Sequence, residues 1–297
     1  MVRSSNIVEL VSLPTADNVM VDALIHPPAD GARPVASIIH LHGKGGNFYS
    51  GPARHLPTLP ARIPMRHLAL NMRCHDLGYT RADRPYVDQE NGGQTPVAGG
   101  FWERLDEGRV DIKAAVEHLR TLGPEPIFLA GLSSGGFYVA DYCARHDDVA
   151  GRIAISPVLS NKRPLEFWFP GEEGVEQAAT TARSMVDAGR GHELIAASTW
   201  FYAISAQSLL DRLDEPDEAW LELMNSSSTP VLHLWGSRET RGPLWQARFD
   251  ALTAPSKTRV VVEGADHSYL DHMTELGRAI EDFVAAVTKE TDIAWPR

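Results

Sequence analysis

Short apolar runs recur along the chain, and in most of them polar residues do not alternate with apolar ones. Such runs are typical of strands in a parallel sheet, because helices cover both faces of that sheet. Segments with apolar residues three and four positions apart lie between them and indicate helices that each bury one face. The pattern therefore predicts an α/β protein with a mainly parallel sheet. Strands are predicted at 7–13, 19–25 (antiparallel to the first), 35–41, 66–71, 127–131, 152–156, 231–235 and 258–262, and helices at 52–62, 104–122, 136–145 and 273–287.

The interval between Pro157 and Pro230 breaks this rhythm, because it is helical and too long for one strand-helix-strand connection. Helices are predicted there at 175–188, 194–211 and 215–224. We expect residues 159–229 to form a helical cap over the carboxyl edge of the sheet, where open α/β sheets bind ligands, and residues 1–158 and 230–297 to form the core. The aromatic residues of the cap are Phe167, Trp168, Phe169, Trp200, Phe201, Tyr202 and Trp220. Most of them should pack the cap onto the core, and a few should line a pocket.

The 297 residues carry 28 Lys and Arg against 39 Asp and Glu, a net charge of -11, and no basic run. Nucleic acids and anionic membranes both attract clustered Lys and Arg, so the chain is expected to bind neither. Cys74 and Cys143 do not suggest a disulfide framework, and Cys143 is expected to be a buried thiol. The N-terminus lacks an apolar signal core and no run is long enough to span a bilayer, which predicts a cytoplasmic protein. No feature of the sequence indicates an oligomeric state.

The apolar run that begins at Ile127 leads into Gly131-Leu132-Ser133-Ser134-Gly135, and a helical pattern follows. A Gly-x-Ser-x-Gly sequence alone is often a plain loop, but strand, sharp turn and helix together are the context of a nucleophilic serine. Small residues on both sides permit the strained turn that exposes the serine hydroxyl. We therefore interpret Ser133 as a nucleophile.

A nucleophilic serine needs a base to remove its proton and a third group to orient that base. His267 is the strongest base among the 12 histidines, because its loop follows the last predicted strand and would lie at the same sheet edge as Ser133. The orienting acid should follow the preceding strand, where Glu239 is the only carboxylate before the next helical segment. Asp266 is an alternative, but a residue adjacent to His267 in sequence has difficulty reaching the far nitrogen of the ring.

Cleavage of an acyl bond also needs two donors for the developing oxyanion. The Ser134 amide follows the nucleophile and opens a helix, whose positive end adds to the effect. The second donor should lie in the glycine-rich segment 42–46, with the Lys44 amide favoured over that of Gly45. The Lys44 side chain need not take part. Phosphate binding by this segment is a poor alternative, since it has neither a Gly-x-Gly-x-x-Gly nor a Walker pattern.

Taken in this order along the chain, the His42-Gly43 loop, the Ser133 turn, Glu239 and His267 resemble the marks of the α/β-hydrolase superfamily. The resemblance covers nearly the whole chain. It implies the α/β-hydrolase fold: a mainly parallel sheet of about eight strands, helices on both faces, a helical cap inserted after the sixth strand, and a serine hydrolase that uses neither cofactor nor metal. Two departures are a Glu where Asp is commoner as the acid, and a loop after the fourth strand that carries Arg73 and His75 and could place them near the pocket.

The leading hypothesis is hydrolysis of a carboxylic ester of a small molecule, such as a lactone or an acylated natural product. Amide or peptide cleavage, acyl transfer and C–C cleavage would use the same residues, and the cap would decide among them. A ligand-binding protein on the same scaffold is a weaker alternative. So is a zinc site on His40, His42 and His75, because the His-Gly context already explains His42. The aromatic cap and the acidic balance favour a medium-sized neutral or cationic substrate.

Overall fold

A single mixed sheet organises the core of the protein. The computed structural model describes residues 8–28, 31–80, 97–197 and 202–291. Within them, the main sheet consists of β1 Glu9–Pro14, β2 Met20–His26, β3 Ala36–Leu41, β4 Met65–Leu70, β5 Ile127–Leu132, β6 Gly151–Ile155, β7 Val231–Gly236 and β8 Lys257–Val262. Their order is β1-β2-β4-β3-β5-β6-β7-β8. β2 pairs antiparallel with β1 and β4, and every other neighbouring pair is parallel.

Helices cover both faces of this sheet, which is why β3, β5, β6 and β7 are buried along almost their whole length. Ile112 and Tyr142 join the core on one face, whereas Leu276 and Phe283 join it on the other. The predicted α/β-hydrolase fold is therefore confirmed. The helices are α1 Gly51–His55, α2 Leu105–Leu122, α3 Ser134–Cys143, α4 Arg163–Trp168, α5 Gly171–Asp187, α6 Ala206–Leu213, α7 Ala219–Asn225, α8 Gly242–Asp250 and α9 Met273–Thr291.

The segment between β6 and β7 contains α4 to α7, of which α4 was not predicted, and α7 begins four residues later than the helix predicted at 215–224. The predicted helix at 194–211 is wrong over its first half, where Leu194–Ala196 pairs antiparallel with Ala203–Ser205. Ser205 then caps α6, since its hydroxyl oxygen accepts the Ser208 N–H at 3.1 Å. The predicted helix at 52–62 is also shorter, because α1 passes into the single 3-10 turn Leu56–Thr58, which contains Pro57. The boundaries 159–229 of the cap stay a prediction.

Most of the described aromatic residues of this segment are buried, partly in a cluster within the segment and partly, through Trp220, against the core. Trp168, Phe169, Tyr202 and Trp220 are buried, and the Trp220 indole donates a hydrogen bond to the Gly136 carbonyl at 3.3 Å. Phe167 is instead 66% exposed. Trp200, Phe201 and residues 81–96 lie outside the described residues. No helix in the described ranges is both long and apolar enough to cross a bilayer.

Candidate active site

Ser133 occupies a strained turn between β5 and α3. Its φ of 57° and ψ of -116° lie outside the regions that residues with a side chain normally adopt. The flanking glycines allow the turn, because a Cβ on Gly131 would lie 2.2 Å from the Gly135 carbonyl oxygen. A Cβ on Gly135 would lie 2.4 Å from the carbonyl oxygen of Leu41. The Gly-x-Ser-x-Gly sequence thus brings the ends of β3 and β5 and the start of α3 into backbone contact, with Ser133 between them.

His267 and Glu239 are joined by a hydrogen bond. The Nδ1 atom of His267, in the loop after β8, lies 2.7 Å from Oε2 of Glu239, in the loop after β7. His267 is half exposed, whereas the Glu239 side chain is 8% exposed. A bond from Nδ1–H to a carboxylate fixes the tautomer whose Nε2 can accept a proton. Asp266 binds Ser268 instead, by accepting its N–H at 2.9 Å and its hydroxyl at 2.6 Å.

The second oxygen of Glu239 is held by groups that the sequence analysis did not identify. Oε1 accepts the Ser156 hydroxyl at 2.5 Å and the Gly236 N–H at 3.0 Å, and the Tyr269 hydroxyl lies 3.4 Å away. Burial opposes ionisation of this carboxyl, but the hydrogen bonds from His267, Ser156 and Gly236 outweigh it and lower the pKa of Glu239. Glu239 is therefore an oriented carboxylate at neutral pH.

Ser156 and Tyr269 both adopt a positive φ, 43° and 57°, which costs about 1–3 kcal/mol for each residue with a side chain. Their hydroxyls lie 2.6 Å apart, and both reach the same carboxylate. The one feature of the sequence that could have indicated Ser156 as a partner of Glu239 was its position directly after β6, beside the end of β7. No pattern indicated Tyr269, because its side chain reaches Glu239 only through the turn after His267.

The glycine-rich loop lies against Ser133. A Cβ on Gly43 would lie 3.3 Å from Cβ of Ser133, and the loop turns back at Gly46, whose N–H donates to the Gly43 carbonyl at 2.9 Å. Among the residues with described positions, none accepts a hydrogen bond from the Lys44 amide. Ser134 begins α3, so its N–H has no partner within the helix. Both predicted oxyanion donors thus belong to segments that flank the serine.

Ser133 and His267 line one cavity of about 540 Å³. Its wall is largely apolar and includes Pro52, Leu132 and Ile155. Of the side chains that the structure describes in this wall, Lys44 alone carries a full charge and none is acidic. The described lining includes none of the aromatic residues between β6 and β7 that were expected to line a pocket, and Trp168, Phe169, Tyr202 and Trp220 pack in other clusters. A volume of this size suits a small organic molecule.

Arg73 and His75 have structural partners. The Arg73 guanidinium lies between Asp17 and Asp111, with N–O distances of 2.6 Å to each. His75 lies 2.8 Å from the Asp76 carboxylate and stacks on Tyr79.

The three histidines considered for zinc have different neighbours. Nε2 of His40 lies 2.8 Å from Nδ1 of His67, and Nδ1 of His42 donates to the Gly43 carbonyl at 2.9 Å. His75 pairs with Asp76. No group of three metal-binding side chains converges in the part of the chain that the structure describes.

Comparison with known proteins gives one family and many similar structures. The family model described as serine aminopeptidase, S33, matches residues 85–272. Est1E from Butyrivibrio proteoclasticus superposes with a TM-score of 0.67 at 15% identity, over 94% of this chain and 98% of that chain. DcsB in complex with its substrate analogue gives 0.68 at 15% identity, over 94% and 99%. An esterase of Pyrococcus furiosus gives 0.61 at 16% identity, over 95% and 91%. None of the curated proteins compared with the chain matches it.

Proposed function

The chain belongs to the serine aminopeptidase S33 family of α/β hydrolases, and from this premise we propose that it hydrolyses carboxylic esters of small molecules through an acyl-enzyme on Ser133. One observation carries the proposal: Ser133 and His267 line the same cavity, and Nδ1 of His267 is bound to the buried Glu239 carboxylate. Nucleophile, base and orienting acid are thereby supplied from three loops at one edge of the sheet.

The reaction would follow from these contacts. The Ser133 hydroxyl oxygen attacks the ester carbonyl carbon while Nε2 of His267 takes its proton, and Glu239 stabilises the imidazolium that forms. The amides of Lys44 and Ser134 donate to the oxyanion of the tetrahedral intermediate. His267 returns the proton to the leaving alcohol as the C–O bond breaks. Water, deprotonated by His267, then releases the carboxylic acid and restores the Ser133 hydroxyl.

The cavity wall favours an ester over a peptide with a free amino terminus. An aminopeptidase must bind the substrate's ammonium group, which calls for a carboxylate or several carbonyl oxygens near the nucleophile. The described lining holds no acidic side chain, and its one charged side chain, Lys44, has its ammonium group bound to Glu103 and offers no counter-charge to a substrate ammonium. The apolar wall around Pro52, Leu132 and Ile155 suits an uncharged acyl or alcohol group.

Hydrolysis of p-nitrophenyl acetate and butyrate tests the proposal, with proline p-nitroanilide as the amide comparison. We expect the esters to be cleaved by the wild type and Ser133→Ala to lower kcat by about 10⁶-fold. Faster release of p-nitroaniline than of p-nitrophenol would favour the peptidase alternative. Full ester hydrolysis by Ser133→Ala would contradict the proposal.

A further inference from the structure

A buried charge cluster lies beside the glycine-rich loop. It consists of Lys44, Glu103, Arg212 and Tyr138. Oε2 of Glu103 accepts hydrogen bonds from Lys44 Nζ, at 2.5 Å, and from the Arg212 guanidinium. Oε1 accepts a hydrogen bond from the Tyr138 hydroxyl at 2.9 Å. The Glu103 side chain is 2% exposed. Burial opposes its ionisation, but the charges of Lys44 and Arg212 lower the pKa of Glu103 to about 2, so the carboxylate is ionised.

The members of this cluster come from different parts of the fold. Lys44 belongs to the loop that carries a proposed oxyanion donor, Tyr138 to α3 behind the nucleophile, and Arg212 to α6 between β6 and β7. The Lys44 ammonium also donates to the Gly100 carbonyl at 3.0 Å and lies 5.0 Å from the centre of the Tyr202 ring. The cap and the oxyanion loop therefore meet at one carboxylate.

Lys44 is the only residue of the turn 43–46 that has a side chain, since Gly43, Gly45 and Gly46 flank it. The glycines let the backbone approach Ser133, but glycine also has the greatest conformational freedom in the backbone. The direction of the Lys44 amide then depends on the backbone turn and on where the Lys44 side chain is held. An oxyanion donor must point at the intermediate to within a small error in position.

We infer that Glu103 is a positioning residue: by holding the Lys44 side chain it fixes the Lys44 amide for the oxyanion, and through Arg212 it links that amide to the cap. The inference rests on the proposed function, because it assumes that Ser133 forms a tetrahedral intermediate. Glu103 itself touches no reacting atom. Its effect should appear in the stabilisation of the transition state and not in the binding of the substrate.

A double-mutant cycle on kcat and KM tests this inference. Lys44→Met removes the ammonium group but keeps the backbone amide and leaves Glu103 paired with Arg212. We expect it to lower kcat about 10- to 100-fold with KM changed by less than about threefold, since a lost oxyanion donor costs about 10²–10³-fold. Glu103→Gln should lower kcat similarly, and the double variant should be no slower than the slower single variant. Lys113→Met, which removes a partly exposed lysine paired with Asp148, is the matched control and should keep wild-type kinetics.

Glu103→Gln leaves two buried cations without their carboxylate and can fail to fold. The kinetics of Lys44→Met are therefore the deciding test of the inference, and its melting temperature is measured alongside to show that this variant is folded. The affinity of an alkylboronic acid, which forms a tetrahedral adduct with a nucleophilic serine, should fall in proportion to kcat/KM in this variant. Wild-type kcat in folded Lys44→Met, or single-variant losses that multiply in the double variant, would overturn the inference. If instead Ser133→Ala retains the activity, the proposed function itself fails, and the two failures are thereby distinguished.

Discussion

Replacing the Glu239 carboxylate by an amide should reverse the tautomer of His267. In Glu239→Gln the amide oxygen must face the Gly236 N–H, 3.0 Å from Oε1, because the amide NH₂ cannot accept that hydrogen bond. The NH₂ group then occupies the position of Oε2, 2.7 Å from Nδ1 of His267. It donates to Nδ1, so the ring proton moves to Nε2, which can no longer accept the proton of Ser133.

The expected loss follows from this reversal. A triad histidine held in the wrong tautomer costs about 10⁴ in kcat, or about 5 kcal/mol of the activation barrier. The free energy of unfolding should change little, because the amide oxygen keeps its hydrogen bonds to Ser156 and Gly236. We expect it to fall by about 1 kcal/mol, since these bonds no longer go to a charged acceptor. The variant therefore separates activity from stability.

Steady-state hydrolysis of p-nitrophenyl butyrate, with urea unfolding of the same preparation, measures both quantities. Glu263→Gln makes the same chemical change at an exposed glutamate whose partner is Ser237, at 3.1 Å, and serves as the control. We expect this control to stay within about twofold of the wild type, because Glu263 is exposed and binds Ser237 and not the imidazole. If folded Glu239→Gln keeps more than about a tenth of wild-type kcat/KM, the argument that Glu239 sets the tautomer is refuted.

Three further outcomes follow from single contacts. Ser156→Ala removes the 2.5 Å bond to Glu239 and should lower the free energy of unfolding in urea by about 1.5–3 kcal/mol, and an unchanged value would contradict this. His233 is buried with a pKa lowered to about 3 by burial, so the unfolded state binds its proton first as the pH falls below about 6.5. The free energy of unfolding should therefore fall on acidification, and between pH 7 and pH 5 it should fall by about 2 kcal/mol less in His233→Leu than in the wild type. An equal fall in both proteins would contradict this. Gly135→Ala places a Cβ 2.4 Å from the Leu41 carbonyl oxygen and should cost about 3 kcal/mol, and an unchanged melting temperature would show that the turn is looser than described.

The fold and the chain order of the candidate site could be predicted because they depend on local patterns. Buried strands read as apolar runs, and the carboxyl ends of β5, β7 and β8 must share one edge of a parallel sheet. Ser133, Glu239 and His267 each follow one of these strands, so their proximity required no knowledge of side-chain packing.

The supporting contacts could not be predicted in this way. Ser156 and Tyr269 contact Glu239 from positions with a positive φ, which no propensity of serine or tyrosine indicates. Glu103 meets Arg212 across 109 positions of sequence, a tertiary contact with no periodic signal. The helix predicted at 194–211 was wrong because residues 194–196 pair with 203–205, a contact between strands that overrides local helical preference.

Labelling with a fluorophosphonate tests most directly whether Ser133 is the activated nucleophile of this protein. Peptide mapping by mass spectrometry should find one phosphonyl adduct, on Ser133, which forms in the native protein and not after unfolding. Ser133→Ala should remain unlabelled, and Glu239→Gln should be labelled at least about 10³-fold more slowly than the wild type. A native protein that stays unmodified, or an adduct on any other residue, would contradict the account.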